Sequence, residues 1–338
     1  MKNGKFITLG IESSCDETAA AVLADDRTLM SNIISSQIDI HKVFGGVVPE
    51  IASRHHLEQI NGVIDEALKQ ADINLEDIDL VGVTKGPGLV GALLIGIATA
   101  KGLAYSLNKP LTGVHHIKAH SLAALLEEPA LKPPYISLVV SGGHTDLIDV
   151  RDYDDFLVIG RTRDDAIGEA YDKVARVLGL GYPGGPKIDA IAKQGNDHAV
   201  EFKRVFLEKD SFDFSFSGTK TGVLNYINSE IQKGNKINIP DVAAGFQLSV
   251  LEVVVEKSIR AVRKSKYNKI VIGGGVASNS LLRQMLSEAC KKEGIELHYP
   301  SPVLCTDNAA MVACCAYYDY QYGREDGLDM DAYANLPL

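Results

Sequence analysis

The chain of 338 residues lacks the features that mark several common classes of protein. Its longest apolar run, from Leu89 to Ala100, stops at Lys101, so it is too short to span a bilayer and predicts a buried helix. No signal-peptide cleavage pattern follows the N-terminal residues, and no Gly-x-x-x-x-Gly-Lys-Ser/Thr motif is present, which excludes a P-loop. We therefore expect a cytoplasmic protein with no membrane segment.

Cysteine is scarce, and positive charge is outnumbered by negative charge. The five cysteines are odd in number and none lies in a Cys-x-x-Cys pair, so the sequence indicates neither a disulfide framework nor a thiolate zinc site. The formal net charge is -10 and the sequence pI is about 5.4. Because the surface as a whole does not attract nucleic acid, a nucleic-acid partner would need a local basic patch or a helper subunit.

Two histidines four residues apart form the most informative pattern in the chain. If residues 116–126 form a helix, His116 and His120 lie on one face, one turn apart, and both can reach a single ion. Far along the chain, Asp307 adds a carboxylate. Together they predict a divalent-metal site, although paired histidines on a helix are also common as plain hydrogen-bonded residues. A zinc protease of the His-Glu-x-x-His kind needs a glutamate where this chain has Ile117, so the ion would polarise a bound group rather than activate water for peptide cleavage.

Two segments share one pattern of strand, polar turn and strand. They are residues 6–23 and residues 135–150, and each turn is rich in small polar and acidic residues. Such turns leave backbone N–H groups free to point at a ligand oxygen. The repetition predicts a duplicated domain, with one such hairpin in each lobe.

Helices and strands alternate along the rest of the chain, which is typical of an α/β architecture. The spacing of apolar residues predicts helices over 49–71, 89–107, 169–178, 187–194, 242–264 and 306–322. A strand is predicted over 79–84, and another over 269–272 that runs into three glycines before a helix beginning near Asn279. That order is typical of a turn on which a nucleotide lies against the backbone, although a glycine triplet can also be a plain tight turn. We place the first lobe at 1–118 with 306–338 returning to it, and the second lobe at 119–305.

A series of motifs in order along the chain carries a resemblance to a known family. They are residues 10–18, 46–54, 85–91, 114–120, 140–145, 182–186, 214–218, 273–279 and 306–311. The chain closely resembles the tRNA N6-adenosine threonylcarbamoyltransferase family (TsaD type), whose fold is shared with actin, Hsp70 and the sugar kinases. The resemblance implies two duplicated actin-like ATPase (ASKHA) lobes with a central cleft between them. One departure is Thr219, where most relatives are expected to have leucine.

The resemblance also implies a reaction. Members of the family transfer the threonylcarbamoyl group of threonylcarbamoyl adenylate to N6 of the adenine 3′ of the anticodon, in tRNAs that read codons beginning with A, and release AMP. The implied partners are tRNA, a paralogous subunit of the same fold (TsaB type) and a small ATPase (TsaE type). By the same resemblance His116, His120 and Asp307 bind one divalent ion, Fe²⁺ or Zn²⁺, since imidazole and carboxylate accept either.

Residue by residue, the resemblance assigns two groups of substrate contacts. Those expected on the acyl-phosphate side are Val139, Val140, Ser141, Gly142 and Gly143, and those expected at the nucleoside are Asp172, Gly185, Asp189 and Asn279. The two aspartates are natural acceptors for ribose hydroxyl groups. Asp16 and Glu17, in the first hairpin, are the carboxylates we expect to collect the N6 proton, although both could equally cap the hairpin turn.

Three other functions fit part of this pattern. A metalloendopeptidase would use the histidine pair, but it would also need a glutamate where this chain has Ile117. A small-molecule kinase of the same fold would place two hairpins around an ATP phosphate tail but has no need of the histidines. A nucleotide-sensing or chaperone-like module would bind nucleotide and form no tRNA product. The combination of histidine pair, nucleotide turn and duplicated hairpins favours the transferase.

Overall fold

The computed structural model describes residue 2 and residues 4–338. The strands in this part of the chain are β1 (Ile7–Glu12), β2 (Glu17–Ala24), β3 (Thr28–Ser36), β4 (Leu80–Gly86), β5 (Leu111–His115), β6 (Tyr135–Val140), β7 (Thr145–Val150), β8 (Phe156–Arg161), β9 (Lys269–Gly273) and β10 (Glu296–His298). The α-helices are α1 (Ile38–Lys42), α2 (Pro49–Gln70), α3 (Val90–Leu107), α4 (His116–Leu122), α5 (Ile167–Val177), α6 (Gly184–Ala192), α7 (Ser217–Gln232), α8 (Ile239–Ser265), α9 (Ser280–Glu293), α10 (Pro302–Cys305) and α11 (Ala309–Gln321). The mixture of helices and strands agrees with the predicted α/β class.

The chain divides into two compact units. Unit 1 consists of Met1–Pro133, Arg151–Phe156 and Pro300–Leu338, and unit 2 consists of Pro134–Val150 and Leu157–Tyr299. The first lobe predicted from the sequence is 1–118 with 306–338, whereas residues 119–133, 151–156 and 300–305 also group with unit 1. The division falls later because α4 runs without a break through residue 119 and packs on α11. Tyr153 joins the same unit by stacking on Tyr318 of α11, with ring centroids 4.1 Å apart.

Unit 1 is built on a five-stranded mixed sheet in the order β3-β2-β1-β4-β5. β1 pairs antiparallel with β2 and parallel with β4, and β4 pairs parallel with β5. Every side chain of β1 is buried, because helices cover both faces of the sheet. Ile7, Leu9 and Ile11 pack with α2 and α3 on one face, while Ala19 and Ala21 of β2 pack with α10 and α11 on the other.

Glycines allow α11 to lie against the backbone of β1 and β4. A Cβ atom at Gly10 would come within 2.4 Å of the Ala309 carbonyl oxygen, and one at Gly82 within 2.4 Å of the Ala316 Cβ. Both distances are too short for any side chain, which explains why glycine occurs inside these strands. This packing sets the position of α11, and with it the position of Asp307 just before the helix.

Helix α3 is the predicted apolar helix. It is the one helix among the described residues that is long and apolar enough to cross a bilayer, with a mean hydropathy of 1.5 over 18 residues. One side, which includes Leu93, Ile97 and Ala100, packs into the core of unit 1, and the other exposes Leu94 and Tyr105. A core helix of a folded domain has the same length and composition, so α3 belongs to the packed structure of unit 1.

Unit 2 repeats the topology of unit 1. Its five-stranded sheet has the order β10-β9-β6-β7-β8. β6 pairs antiparallel with β7 and parallel with β9, just as β1 pairs with β2 and β4. The long helix α8 is buried along most of its length and packs on β6 and on α6, α7 and α9. The duplication predicted from the two hairpins is therefore seen in the strand order.

Substituting Gly10→Ala is expected to lower the free energy of unfolding by about 3 kcal/mol, because the added methyl group forces α11 away from β1. Gly102→Ala is the matched control, since Gly102 is exposed in α3 and no described atom lies within 4 Å of its Cβ direction. Alanine there should stabilise the helix by about 0.5–1 kcal/mol. Chemical denaturation measures both, and equal effects would show that α11 does not pack on this glycine.

Candidate metal centre and nucleotide loops

The histidine pair lies where β5 meets α4. β5 ends at His115 and α4 begins at His116. The His115 side chain caps the new helix, since its Nδ1 accepts hydrogen bonds from the backbone N–H groups of Ile117 and Lys118, at 3.2 and 3.5 Å. A histidine therefore takes the capping role that serine or aspartate has at most helix starts. The predicted helix begins as expected, but its last residues form a 3-10 turn, Ala123–Leu126.

His116, His120 and Asp307 come together in unit 1. Each offers one ligand atom, and the three atoms lie within 4.8 Å of one another. The Asp307 Oδ1 atom is 3.0 Å from His120 Nε2 and 3.4 Å from His116 Nε2. The two imidazole rings lie edge to face with their centroids 4.7 Å apart. The spacing read from the sequence thus brings two ring nitrogens and one carboxylate oxygen to a common point.

Glu12 completes this cluster and is not among the residues predicted from the sequence. Its Oε2 lies 3.1 Å from His116 Nδ1 and accepts a hydrogen bond of 2.7 Å from the Thr84 hydroxyl. Its Oε1 accepts a hydrogen bond of 2.5 Å from the backbone N–H of Ser14. Glu12 is fully buried, and its signal in the sequence was an acidic residue that closes an apolar strand. A carboxylate on Nδ1 fixes the His116 ring and turns its Nε2 toward Asp307.

Opposite charges balance each other in this cluster. Burial opposes charge on Asp307, but His116 and the hydrogen bonds from both imidazoles outweigh it and hold the pKa of Asp307 well below its usual range. Burial also opposes charge on His116, yet Asp307 and Glu12 raise its pKa to about 10. Burial would raise the pKa of Glu12, but His116 lowers it, while burial lowers the pKa of His120. With one imidazolium between two carboxylates, the cluster carries a net negative charge at neutral pH before an ion binds.

Two imidazoles and one carboxylate form a ligand set that divalent transition metals accept. The arrangement fits such an ion, because the Nε2 atoms of His116 and His120 face the same oxygen of Asp307 while Glu12 already occupies His116 Nδ1. Three protein ligands leave coordination positions open, as in catalytic rather than structural sites. The geometry therefore fits an ion that keeps positions free for a further ligand.

Asp16 and Glu17 lie at the turn between β1 and β2, in the same unit as the metal ligands. Asp16 is buried, and the Glu17 Oε1 accepts a hydrogen bond of 3.0 Å from the Ser36 hydroxyl. Burial raises the pKa of Glu17 well above its usual range, and the negative charges of Asp16 and Asp307 raise it further. Glu17 is thus within electrostatic reach of the Asp307 carboxylate.

The residues expected at the acyl phosphate form the end of β6 and the turn after it. Val139 and Val140 are buried in β6, and a hydrogen bond of 2.9 Å from the Ser141 N–H to the carbonyl of residue 144 closes the turn. Gly142 and Gly143 are exposed, and no described atom lies within 4 Å of where a Cβ would be. The side on which a side chain would lie is therefore open at both residues.

Two more glycines allow neighbouring loops to approach this turn. Gly274, in the triplet after β9, has φ +86°, and a Cβ there would come within 2.4 Å of the Val140 carbonyl oxygen. A Cβ at Gly168, in the first turn of α5, would lie 2.6 Å from the Ser141 carbonyl oxygen. The glycine triplet and the β6–β7 turn therefore lie side by side, at the carboxyl ends of the parallel strands β6 and β9.

Asp172, Gly185 and Asp189 lie on two adjoining helices of unit 2. Asp172 is on α5, and its carboxylate accepts a hydrogen bond of 2.6 Å from the N–H of Gly184, the first residue of α6. Gly185 follows in α6, and Asp189 lies about one turn further. The Asp189 carboxylate accepts a hydrogen bond of 2.9 Å from the Ser280 hydroxyl at the start of α9. These bonds join α5, α6 and α9 around the expected nucleoside residues.

Asn279 caps α9 in the same region. Its Oδ1 accepts a hydrogen bond of 2.9 Å from the Leu282 N–H, and its Nδ2 donates one of 2.9 Å to Gln247 Oε1. A cleft of about 340 Å³ has Gln247, Ser280 and Gln284 among its lining residues. Asp189 and Asn279 thus bond to Ser280 and Gln247, two residues of the cleft lining that were not predicted from the sequence, whereas Asp172 bonds to the start of α6.

The departure at Thr219 has a local explanation. Thr219 is buried in the first turn of α7, and its hydroxyl donates a hydrogen bond of 3.3 Å to the Lys203 carbonyl oxygen. A leucine would be larger and could not form that hydrogen bond. The threonine thus ties α7 to the segment that precedes it in unit 2.

Related sequences cover nearly the whole chain. The sequence model for TsaD, described as tRNA N6-adenosine threonylcarbamoyltransferase, matches residues 28–314. The protein of that name from Clostridium botulinum (strain Hall) is 57% identical over 330 residues, which are 98% of this chain and 97% of the relative. The protein of the same name from Clostridioides difficile (strain 630) is 55% identical over 333 residues, which are 98% of each chain.

Solved structures with a similar fold are more distant in sequence. Full-length HypF in its phosphate- and nucleotide-bound form superposes with a TM-score of 0.63 at 15% identity, covering 97% of this chain and 56% of HypF. Component A of the (R)-2-hydroxyglutaryl-CoA dehydratase of Acidaminococcus fermentans superposes with a TM-score of 0.55 at 17% identity, covering 94% of this chain and 99% of that protein. Likeness at this level shows the fold alone, and the predicted actin-like ATPase fold is confirmed.

Substituting Glu12→Gln should weaken the binding of a divalent ion by about 10–100-fold, because the amide keeps the size of the side chain but loses the charge that orients His116. Glu296→Gln is the matched control, since Glu296 is an exposed carboxylate in β10 of unit 2. Zn²⁺ affinity can be measured against a competing chelator, with folding checked by circular dichroism. If the two variants bound Zn²⁺ with equal affinity, Glu12 would have no role in the metal centre.

Ion binding should also release a proton. The pKa of His116 is raised to about 10, so its imidazole is protonated at neutral pH and must become neutral to bind an ion. Zn²⁺ affinity is therefore expected to rise about tenfold per pH unit between roughly pH 6 and 9, and to level off near the pKa. Calorimetry in buffers of different ionisation enthalpy measures the released proton. A binding heat that does not depend on the buffer would contradict this expectation.

Proposed function

Since the chain belongs to the tRNA N6-adenosine threonylcarbamoyltransferase family, we propose that it transfers the threonylcarbamoyl group from threonylcarbamoyl adenylate to N6 of the adenine 3′ of the anticodon, in tRNAs reading codons that begin with A, and releases AMP. Family membership over nearly the whole chain carries this proposal. The convergence of His116, His120 and Asp307 supports it. Ile117, where an endopeptidase would need its glutamate, is a buried apolar residue, so the peptidase alternative has no base at that position.

The proposed cofactor is one divalent ion, Fe²⁺ or Zn²⁺, with His116, His120 and Asp307 as its ligands. When bound, the ion would act as a Lewis acid toward the negative charge that grows on the carbamoyl or phosphate oxygens. Glu12 holds the His116 ring with Nε2 toward Asp307. The net negative charge of the cluster favours a cation over an anion at this point.

The proposed substrate site is in unit 2. An aromatic amine is a poor nucleophile, so the reaction needs an activated acyl donor and fixed hydrogen-bond donors around it. The exposed backbone of the turn after β6 can donate to the phosphate oxygens, and the residues we assign to this side are Val139, Val140, Ser141, Gly142 and Gly143. Asp172, Gly185, Asp189 and Asn279 would hold the nucleoside, with the two carboxylates accepting hydrogen bonds from the ribose hydroxyls.

The proposed base is one of the two carboxylates at the β1–β2 turn. A base is needed because N6 loses a proton when it gains the acyl group. Burial raises the pKa of Glu17, with further contributions from Asp16 and Asp307, and a carboxyl with a raised pKa is a stronger base than an exposed one. Asp16 and Glu17 therefore remain our candidates for proton collection.

The proposed partners are those that the family resemblance implies, and the charge of the chain supports a need for them. Its net charge of -10 makes tight binding of tRNA by the chain alone unfavourable. We assign it to a cytoplasmic complex with a paralogous subunit of the same fold and a small ATPase, which would supply further contacts to tRNA.

Reconstitution tests the proposal. The chain is mixed with threonylcarbamoyl adenylate, unmodified tRNA and the two candidate partner proteins, and modified adenosine is measured by mass spectrometry of the digested tRNA. We expect one AMP per modified adenosine. Absence of modified adenosine in every combination of partners would refute the transferase proposal.

Variants in the same assay test the metal ligands and the base. Asp307→Asn keeps the shape of the side chain and should slow the reaction by about 100-fold or more, because a Lewis acid supplies several kcal/mol of transition-state stabilisation. Glu17→Gln should lower the rate by about 100-fold while ion binding remains intact. The exposed Glu296→Gln variant should behave as the unchanged protein. A full rate in Asp307→Asn would exclude this residue as a ligand.

A further inference from the structure

The segment that follows α11, residues 324–338, lies along the edge strand β5 and reaches the end of β4, and we name it the strap. Its base is anchored by Asp326, whose carboxylate accepts hydrogen bonds from the Lys85 ammonium at 3.0 Å and from the Gly113 N–H at 2.8 Å. The backbone N–H of Asp326 donates to the Leu111 carbonyl at 2.8 Å. Asp326 therefore bonds to β4 through its side chain, and to β5 through both its side chain and its backbone.

The later part of the strap reaches the start of α4. The Tyr333 N–H donates to the carbonyl of Lys85 at 2.9 Å, and the Ala334 carbonyl accepts from the Gly88 N–H at 3.2 Å. The Leu336 carbonyl lies 2.9 Å from Nε2 of His115. All three of these contacts use the backbone of the strap, and none uses its side chains. The sequence of residues 333–338 thus matters less than their presence.

One route from the strap to the metal ligands runs through His115. Its Nε2–H donates to the strap, so its Nδ1 is the acceptor that caps α4. The strap therefore selects the tautomer that the cap requires. His116, the first residue of α4, follows directly in the chain. The position of its backbone therefore depends on His115, whose ring is hydrogen-bonded at both nitrogens.

A second route runs through the turn between β4 and α3. Gly88 contacts the strap by its N–H and also lies so close to Ser14 that a Cβ at Gly88 would come within 2.7 Å of the Ser14 carbonyl oxygen. The Leu89 N–H donates to the same oxygen at 2.8 Å. The Ser14 hydroxyl in turn lies 3.3 Å from His116 Nδ1. Both routes end at His116. The first acts on its backbone and the second on its ring.

We propose that the strap is a positioning element of the metal centre, which holds His116 in place for ion binding through His115 and through the turn at Gly88. This inference rests on the proposed role of His116 as a metal ligand. Met330 of the strap packs into the core of unit 1, but residues 333–338 are exposed or half-buried and lie outside the core. Their removal should therefore affect the affinity for an ion more than the stability of the fold.

The test compares the full chain with a variant that ends at Ala332, both purified and freed of metal with a chelator. Co²⁺ is the probe, since its visible absorption reports its coordination. We expect the shortened chain to melt within a few degrees of the full chain in the absence of metal. Its dissociation constant for Co²⁺ should rise on the order of tenfold, as it does when support of a ligand is lost. A synthetic peptide of residues 333–338 added in excess should restore part of the affinity.

Two point variants separate the contacts of the strap from general effects on folding. His115→Asn keeps a side chain that can cap α4 but cannot reach the Leu336 carbonyl, so it should weaken Co²⁺ binding in the same direction as the shortened chain. Tyr333→Ala keeps the backbone of the strap and should bind Co²⁺ as the full chain does. Unchanged affinity and absorption in both the shortened chain and His115→Asn would overturn the inference. Failure of the full chain to bind Co²⁺ or Zn²⁺ would instead refute the metal site itself, and the inference with it.

Discussion

The packing of α11 on the bare backbone of β1 and β4 is the constraint on which the metal centre depends. At Gly10 and Gly82 the helix lies so close that no side chain fits between it and the sheet. Asn308 caps the helix, its side chain accepting a hydrogen bond of 3.0 Å from the Met311 N–H. Asp307 immediately precedes this cap. Its carboxylate therefore has a fixed position relative to β1, the strand that ends at Glu12.

The charges of the centre follow from that position. Glu12 and Asp307 approach the two ring nitrogens of His116 from different elements, at 3.1 and 3.4 Å. Two carboxylates so close together, Glu12 buried and Asp307 half-buried, are tolerated because an imidazolium lies between them, and a bound cation would offer the same compensation. The Ser14 hydroxyl, in the β1–β2 turn, lies 3.3 Å from Nδ1 of the same imidazole, and the strap bonds to His115, the residue before it. The centre is thus an assembly of distant segments around one histidine.

The duplicated strand order carries two different kinds of site. In unit 1 the turn after β1 bears Asp16 and Glu17, and it belongs to the same unit as the histidine helix α4. In unit 2 the corresponding turn after β6 has the open glycines Gly142 and Gly143, and Gly274 lies against its base. Carboxylates and imidazoles bind cations, whereas an open glycine backbone binds anions. The residue types in equivalent turns, and not the topology, separate the two chemistries.

Strong short-range patterns made much of the fold predictable, since the helices expected over 49–71 and 89–107 are α2 and α3. β3 and α7 were missed because few of their residues are fully buried, so their apolar spacing is weak.

By itself, the sequence determined the α/β class, the duplication, the family motifs and the candidate ligands His116, His120 and Asp307. Each of these can be read from neighbouring residues, because hydrophobic spacing and motif chemistry are local properties of a chain. Only the tertiary structure decided that Glu12 holds His116, that Ser280 donates to Asp189, and where unit 1 ends. Those facts depend on hydrogen bonds and contacts between residues far apart in the chain. Such contacts have no periodicity to read, since they exist only after the sheets and helices have packed together.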